Sequence, residues 1–102
     1  MMFQLDERIK TIANHYGFEA QAEKSIEEMA ELIVEIKHMK KGIVSPNFQK
    51  FVEELADVKI MIDQLHFLSN SGGDVSKEIE RKLERQMKRI DKELEDKKDV
   101  RA

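Results

Sequence analysis

The sequence predicts an all-α fold, four helices in a bundle-like arrangement around an antiparallel central hairpin. Three observations carry that expectation. Apolar residues recur at intervals of three and four in four separate stretches. The helix-breaking residues, 4 Gly and 1 Pro, fall between those stretches. A composition of 40% hydrophobic and 38% charged residues, with 6% aromatic, suits amphipathic helices better than strands.

Leu5, Ile9, Ile12 and Tyr16 mark the first helix, over about residues 3–15, and Gly17 stops it. Phe18, Ala22, Ile26, Met29, Ile33 and Ile36 mark the second, over about residues 18–41. The basic residues of "KKGIVSP" suit a helix C-terminus, and Gly42 suits the position after it. Ser45 then reads as an N-cap and Pro46 as the first turn of a third helix, over about residues 46–69, which stops before "NSGGD". Asp74 reads as the cap of a fourth, over about residues 74–96, with Val75, Ile79, Leu83, Met87, Ile90 and Leu94 on one stripe. The tail "EDKKDVRA" is expected to fray. Connections this short favour antiparallel neighbours, so helices two and three should form the hairpin.

At 102 residues the chain allows one domain. Helix three is apolar around much of its circumference, more than a lone chain of this length covers. A homodimer or homotetramer is therefore expected to complete the bundle. A net charge of -3 speaks against generic attraction to nucleic-acid polymers or membranes. No apolar run approaches the roughly 20 residues that span a bilayer. The opening "MMFQLDERIK" lacks the basic-then-apolar order of a secretory leader, so a cytoplasmic location is expected. With no Cys there is no disulfide, thiolate nucleophile or Cys-based zinc site. His15, His38 and His66 form no two-His metal motif, and the Met residues are expected to fill core space.

The chemistry lies in the acids. "EEMAELIVEIKH" puts Glu28 and Glu31 on a strongly apolar helix, and "EELADVKIMIDQL" does the same with Glu54 and Asp57. Residues three apart sit about 60° apart on a helix, so each pair shares a face. Gln21, Lys24 and Glu35 fall on the first strip. The second continues through Met61, Leu65 and Leu68, which a solvated acidic face would not. Both pairs should therefore point toward another helix. Buried carboxylates need protonation, basic partners or a cation. Two matched pairs on adjacent helices make an oxygen-rich cage of the kind that suits Mg²⁺, with Mn²⁺ as a substitute.

In this order, "QAEKSIEE", "EMAE", "ELAD" and "KLER" resemble the MazG-like all-α nucleoside triphosphate pyrophosphohydrolases, whose relatives include dimeric dUTPases and phosphoribosyl-ATP pyrophosphatases. The resemblance covers about residues 18–90. It implies that Glu28, Glu31, Glu54 and Asp57 hold one or more Mg²⁺ ions that grip a nucleoside triphosphate. Water then attacks the α-phosphorus and leaves a monophosphate and pyrophosphate. It also implies substrate contacts from Gln21, Lys24, Lys82 and Arg85, with Arg89 a further basic neighbour. Where relatives often carry Asn, two turns after the last metal acid, this chain has Gln64, which can still bond the sugar or base of the substrate. Glu35 and Glu27 are candidates for the proton acceptor.

Three other readings compete. A phosphoribosyl-ATP pyrophosphatase-type activity belongs to the same superfamily. A di-iron carboxylate bundle requires Glu-x-x-His motifs, which "EMAE" and "ELAD" do not supply. A non-catalytic helical interaction module would use helix four, yet that stripe steps mostly by four and lacks clean heptads.

Overall fold

The structure is a computed structural model that describes residues 5–42 and 47–101. Four helices follow one another: α1 (Glu7–Tyr16), α2 (Phe18–Lys41), α3 (Asn47–Ser69) and α4 (Gly72–Arg101). Among the described residues there is no strand. The expected all-α class holds.

Leu5 and Asp6 precede α1, so the helix starts later than the expected residue 3. The reason is the cap: the Asp6 carboxylate accepts a hydrogen bond from the Arg8 backbone N–H at 2.8 Å. The Arg8 guanidinium, followed by that N–H, brings the Asp6 pKa down to about 2. Gly17 ends α1 with φ 85 and ψ 169, a conformation that strains any residue with a Cβ. Its N–H donates to the Ala13 carbonyl at 2.8 Å, and its carbonyl accepts from the Gln21 N–H at 3.1 Å. One glycine thus turns α1 into α2. Gly42 follows the last residue of α2, as its sequence position implies. The expected cap at Ser45 and Pro46 lies outside the described residues.

The chain divides into two units, one ending at Ser71 and one starting at Gly72. In the first, α2 packs along α3, while α1 packs on α3 and less extensively on α2. The earlier a residue lies in α2, the later its partner in α3. Gln21 bonds Gln64, Glu28 adjoins Asp57, and Glu31 adjoins Glu54. The hairpin is antiparallel.

Its seam is polar. α2 buries Gln21, Ser25, Glu28 and Glu35, and α3 buries Glu54, Val58, Met61 and Gln64. The Ser25 hydroxyl is satisfied by the Gln21 carbonyl at 2.7 Å. The apolar stripe that marked α2 in the sequence faces outward: Phe18, Ile26, Met29, Ile33 and Ile36 are exposed, Ile26 by 64%. Phe48, Val52, Leu55 and Ile62 form the matching exposed stripe on α3. Each stripe is turned about 100° from its seam residues, and the antiparallel direction puts both on the same side of the hairpin.

In the second unit, α4 begins at Gly72, which corrects the expected start at Asp74. Asp74 sits inside the first turn, where a carboxylate favours the positive end of the helix dipole without capping it. The helix also continues through Arg101, where fraying was expected. Charges three and four apart sustain it: Glu78 and Arg81 form an ion pair that lowers the Glu78 carboxyl. Ile79, Leu83, Met87, Ile90 and Leu94 are exposed along its stripe. Among the described residues, no helix is long and apolar enough to cross a membrane.

Candidate metal centre

α2 and α3 bring the two acid pairs together. One carboxylate oxygen each from Glu28, Glu54 and Asp57 lies within 4.8 Å of the others. Glu31 joins the group beside Glu54. Glu28 and Glu54 are buried, whereas Glu31 and Asp57 reach the surface. The cage therefore has two carboxylates in its floor and two at a mouth open to solvent.

Each floor carboxylate is half paired. Lys24, one turn before Glu28, puts its Nζ 3.2 Å from Glu28 Oε1, while Glu28 Oε2 is buried with no hydrogen-bond partner. Lys50, one turn before Glu54, lies 3.9 Å from Glu54 Oε1, and Glu54 Oε2 is likewise buried without a partner. The electrostatics follow from this crowding. Burial, then the neighbouring Glu31 carboxyl, then the charges of Asp57 and Glu28 push the Glu54 pKa up. Desolvation of its carboxyl, then Glu28 and Glu31, push Asp57 up, with Lys24 offsetting part of the effect. Lys24 is raised in turn, chiefly by its bond to Glu28.

Lys50 is the residue that sequence reasoning missed. Its signal was present: "KSIEEMAE" (24–31) and "KFVEELAD" (50–57) match position for position in charge and, with one exception, in type. The fold uses that repeat as a local pseudo-two-fold axis across the hairpin. It exchanges Glu28 with Glu54, Glu31 with Asp57, and Lys24 with Lys50, and the burial pattern obeys it. The symmetry breaks at the ends of the seam. At one end Gln21 Nε2 donates to Gln64 Oε1 at 2.7 Å, and Gln64 Nε2 approaches Met61 Sδ at 3.6 Å. Along α2 in the other direction, Glu35 is buried and its Oε2 meets His38 Nδ1 at 3.3 Å. Glu27, the other candidate proton acceptor, is exposed and 4.0 Å from Lys24.

Of the residues expected to touch substrate, Gln21, Lys24 and Gln64 sit in the same seam as the acids. The two glutamines are buried and bond each other, tying α2 to α3. Lys82 and Arg85 are exposed on α4, in the other unit, where both help Arg81 to lower the Glu78 carboxyl. Replacing Gln64, which is 1% exposed, by Leu strands the Gln21 amide and is expected to cost about 1–3 kcal/mol in urea unfolding at fixed protein concentration. The double replacement with Gln21→Leu should recover most of that loss. An additive double variant would show that the two amides do not depend on each other.

No protein-family model, curated protein or solved structure matches this chain.

Proposed function

We propose that this protein is a Mg²⁺-dependent nucleoside triphosphate pyrophosphohydrolase of the MazG-like kind, acting in the cytoplasm as a homodimer or homotetramer. The observation that supports it is the convergence of one carboxylate oxygen each from Glu28, Glu54 and Asp57 within 4.8 Å, in a group where Glu28 Oε2 and Glu54 Oε2 are buried without a hydrogen-bond partner. Lys24 and Lys50 answer only the outer oxygens. An oxygen-only donor set with a solvent-facing mouth fits a hard divalent cation that keeps some of its waters.

These four carboxylates would hold Mg²⁺, which would supply charge neutralisation for the phosphates and Lewis acidity for a hydrolytic water. Glu28 and Glu54 would hold it from the floor, each with one buried oxygen that has no hydrogen-bond partner. Glu31 and Asp57 stand at the mouth, where a triphosphate enters. Lys24 and Lys50 flank that opening as two ammonium groups that can turn from carboxylate to phosphate oxygen. Water attack at the α-phosphorus yields a nucleoside monophosphate and pyrophosphate, and positioning with charge neutralisation carries the catalysis.

The test is product identity. Purified protein with Mg²⁺, screened against ribo- and deoxynucleoside triphosphates, is expected to release pyrophosphate and no orthophosphate, with Mn²⁺ able to replace Mg²⁺. No turnover of any triphosphate with either metal would reject the proposal.

A further inference from the structure

Two lysines stand beside the acids, related by the same repeat. Lys24 Nζ lies 3.2 Å from Glu28 Oε1 and Lys50 Nζ 3.9 Å from Glu54 Oε1, each one turn before its glutamate. At 100° per residue Lys24 is turned about 40° from Glu28, in the sense in which Glu31 is turned about 60°. Lys50 stands likewise to Glu54 and Asp57. Both ammonium groups therefore belong to the mouth of the cage. Lys24 also acts across the hairpin, where its charge offsets part of the crowding at Asp57.

The floor and the lysines differ in freedom. The Glu28 and Glu54 side chains are 9% and 8% exposed, and each keeps a buried oxygen without a hydrogen-bond partner. The Lys24 and Lys50 side chains are 54% and 59% exposed, on long flexible stems. A fixed acidic floor under two movable cations is a site whose charge depends on where the lysines point. Turned in, they answer half the charge of the four carboxylates and repel an arriving cation. Turned out, toward an anion at the mouth, they return the full charge to the cage.

We propose that Lys24 and Lys50 restrain divalent-cation uptake by the free protein and lift that restraint when a polyphosphate chain draws them off. This control rests on the reading above and regulates the same site: two residues outside the carboxylate set govern its affinity for the metal. Cation and polyphosphate then raise one another's affinity by the same factor, as linkage requires.

The test titrates metal-free protein with Mn²⁺ alone, followed by electron paramagnetic resonance, and with the Mn²⁺–tripolyphosphate complex, followed by calorimetry. Lys24→Met and Lys50→Met keep the stems and remove the charges. Each should tighten uptake of Mn²⁺ alone by about threefold, and the two together by roughly tenfold. The same double variant should bind Mn²⁺–tripolyphosphate more weakly, by roughly tenfold. Lys24→Arg with Lys50→Arg, which keeps both charges, should restore the wild-type uptake of Mn²⁺ alone. Lys59→Met, at an exposed position turned about 140° from Glu54, should change neither affinity. Saturable Mn²⁺ uptake that the double Met variant leaves unchanged or weakens would overturn this inference and leave the cation reading standing. A Mn²⁺–tripolyphosphate affinity kept at full strength in that variant would overturn it equally. Uptake that saturates in no variant would overturn both.

Discussion

Glu54→Gln is expected to abolish pyrophosphate release while making the metal-free protein more stable. The wild-type carboxylate is buried beside Glu31, Asp57 and Glu28, and these neighbours with burial itself disfavour its charge. An amide of the same shape removes that repulsion and offers Nε2 as a donor to Glu31. Lys50 loses only a long, solvent-exposed contact at 3.9 Å. Without the cation the melting temperature should rise by roughly 5 °C, a readable shift for a chain of this size. With Mg²⁺ the difference should shrink or reverse, since the variant has lost a ligand. Turnover should fall by at least about 10²-fold, the scale of removing one preorganised charge-stabilising group. Asp57→Asn should behave alike, with a smaller gain because it already reaches solvent. A destabilised Glu54→Gln with unchanged helical circular dichroism would mean that the cage is not repulsive, and the case for a cation would lose its physical basis.

The second large effect is a pH dependence that the cation cancels. Glu54 and Asp57 have folded pKa values raised above their ordinary ones, 4.5 and 3.8. Between the ordinary and the raised value the folded state holds more protons than the unfolded state. Stability therefore falls as pH rises through that window. Asp6 acts in the opposite sense but lower down, because its pKa of about 2 lies below the ordinary 3.8: it loses its contribution as pH falls through that range. The metal-free protein should thus show a melting temperature that climbs out of strong acid, peaks near the ordinary carboxylate range and then declines. Millimolar Mg²⁺ or Mn²⁺ should remove the decline by binding the ionised cage. A metal-free profile that keeps rising toward neutral pH, with no response to either cation, is the contrary outcome.

Much of this was legible in the sequence, for reasons that differ by residue. Gly17 and Gly42 showed the breaks because a helix end needs a residue that tolerates unusual backbone angles or frees the terminal carbonyls. Glu28 and Glu54 showed themselves because a carboxylate in line with apolar neighbours conflicts with a solvated face, whereas Glu31 and Asp57, expected to point inward with them, are exposed. Helix periodicity, in contrast, reveals that a stripe exists and not what covers it. Phe18, Ile26 and Ile33 look like core, yet the chain buries Gln21, Ser25, Glu28 and Glu35 in their place. The mutual bond of Gln21 and Gln64 was hidden because 43 positions separate them, and either amide alone resembles a ligand contact. Lys50 was hidden because a single exposed Lys resembles any solvated helix charge, although the Lys-x-x-x-Glu spacing precedes both pairs. Gly72 and Gly73 mask the true start of α4, since glycine weakens a helix without forbidding its first turn.

The claim on which the rest depends is that four carboxylates of one hairpin share a divalent ion. Titration of Mn²⁺ into metal-free protein, followed by electron paramagnetic resonance of the unbound ion, measures that directly. Saturable uptake is predicted for the wild type, competed by Mg²⁺ and lost in the Glu28→Gln/Glu54→Gln double variant. Uptake that never saturates, or that survives unchanged in the double variant, would contradict the account.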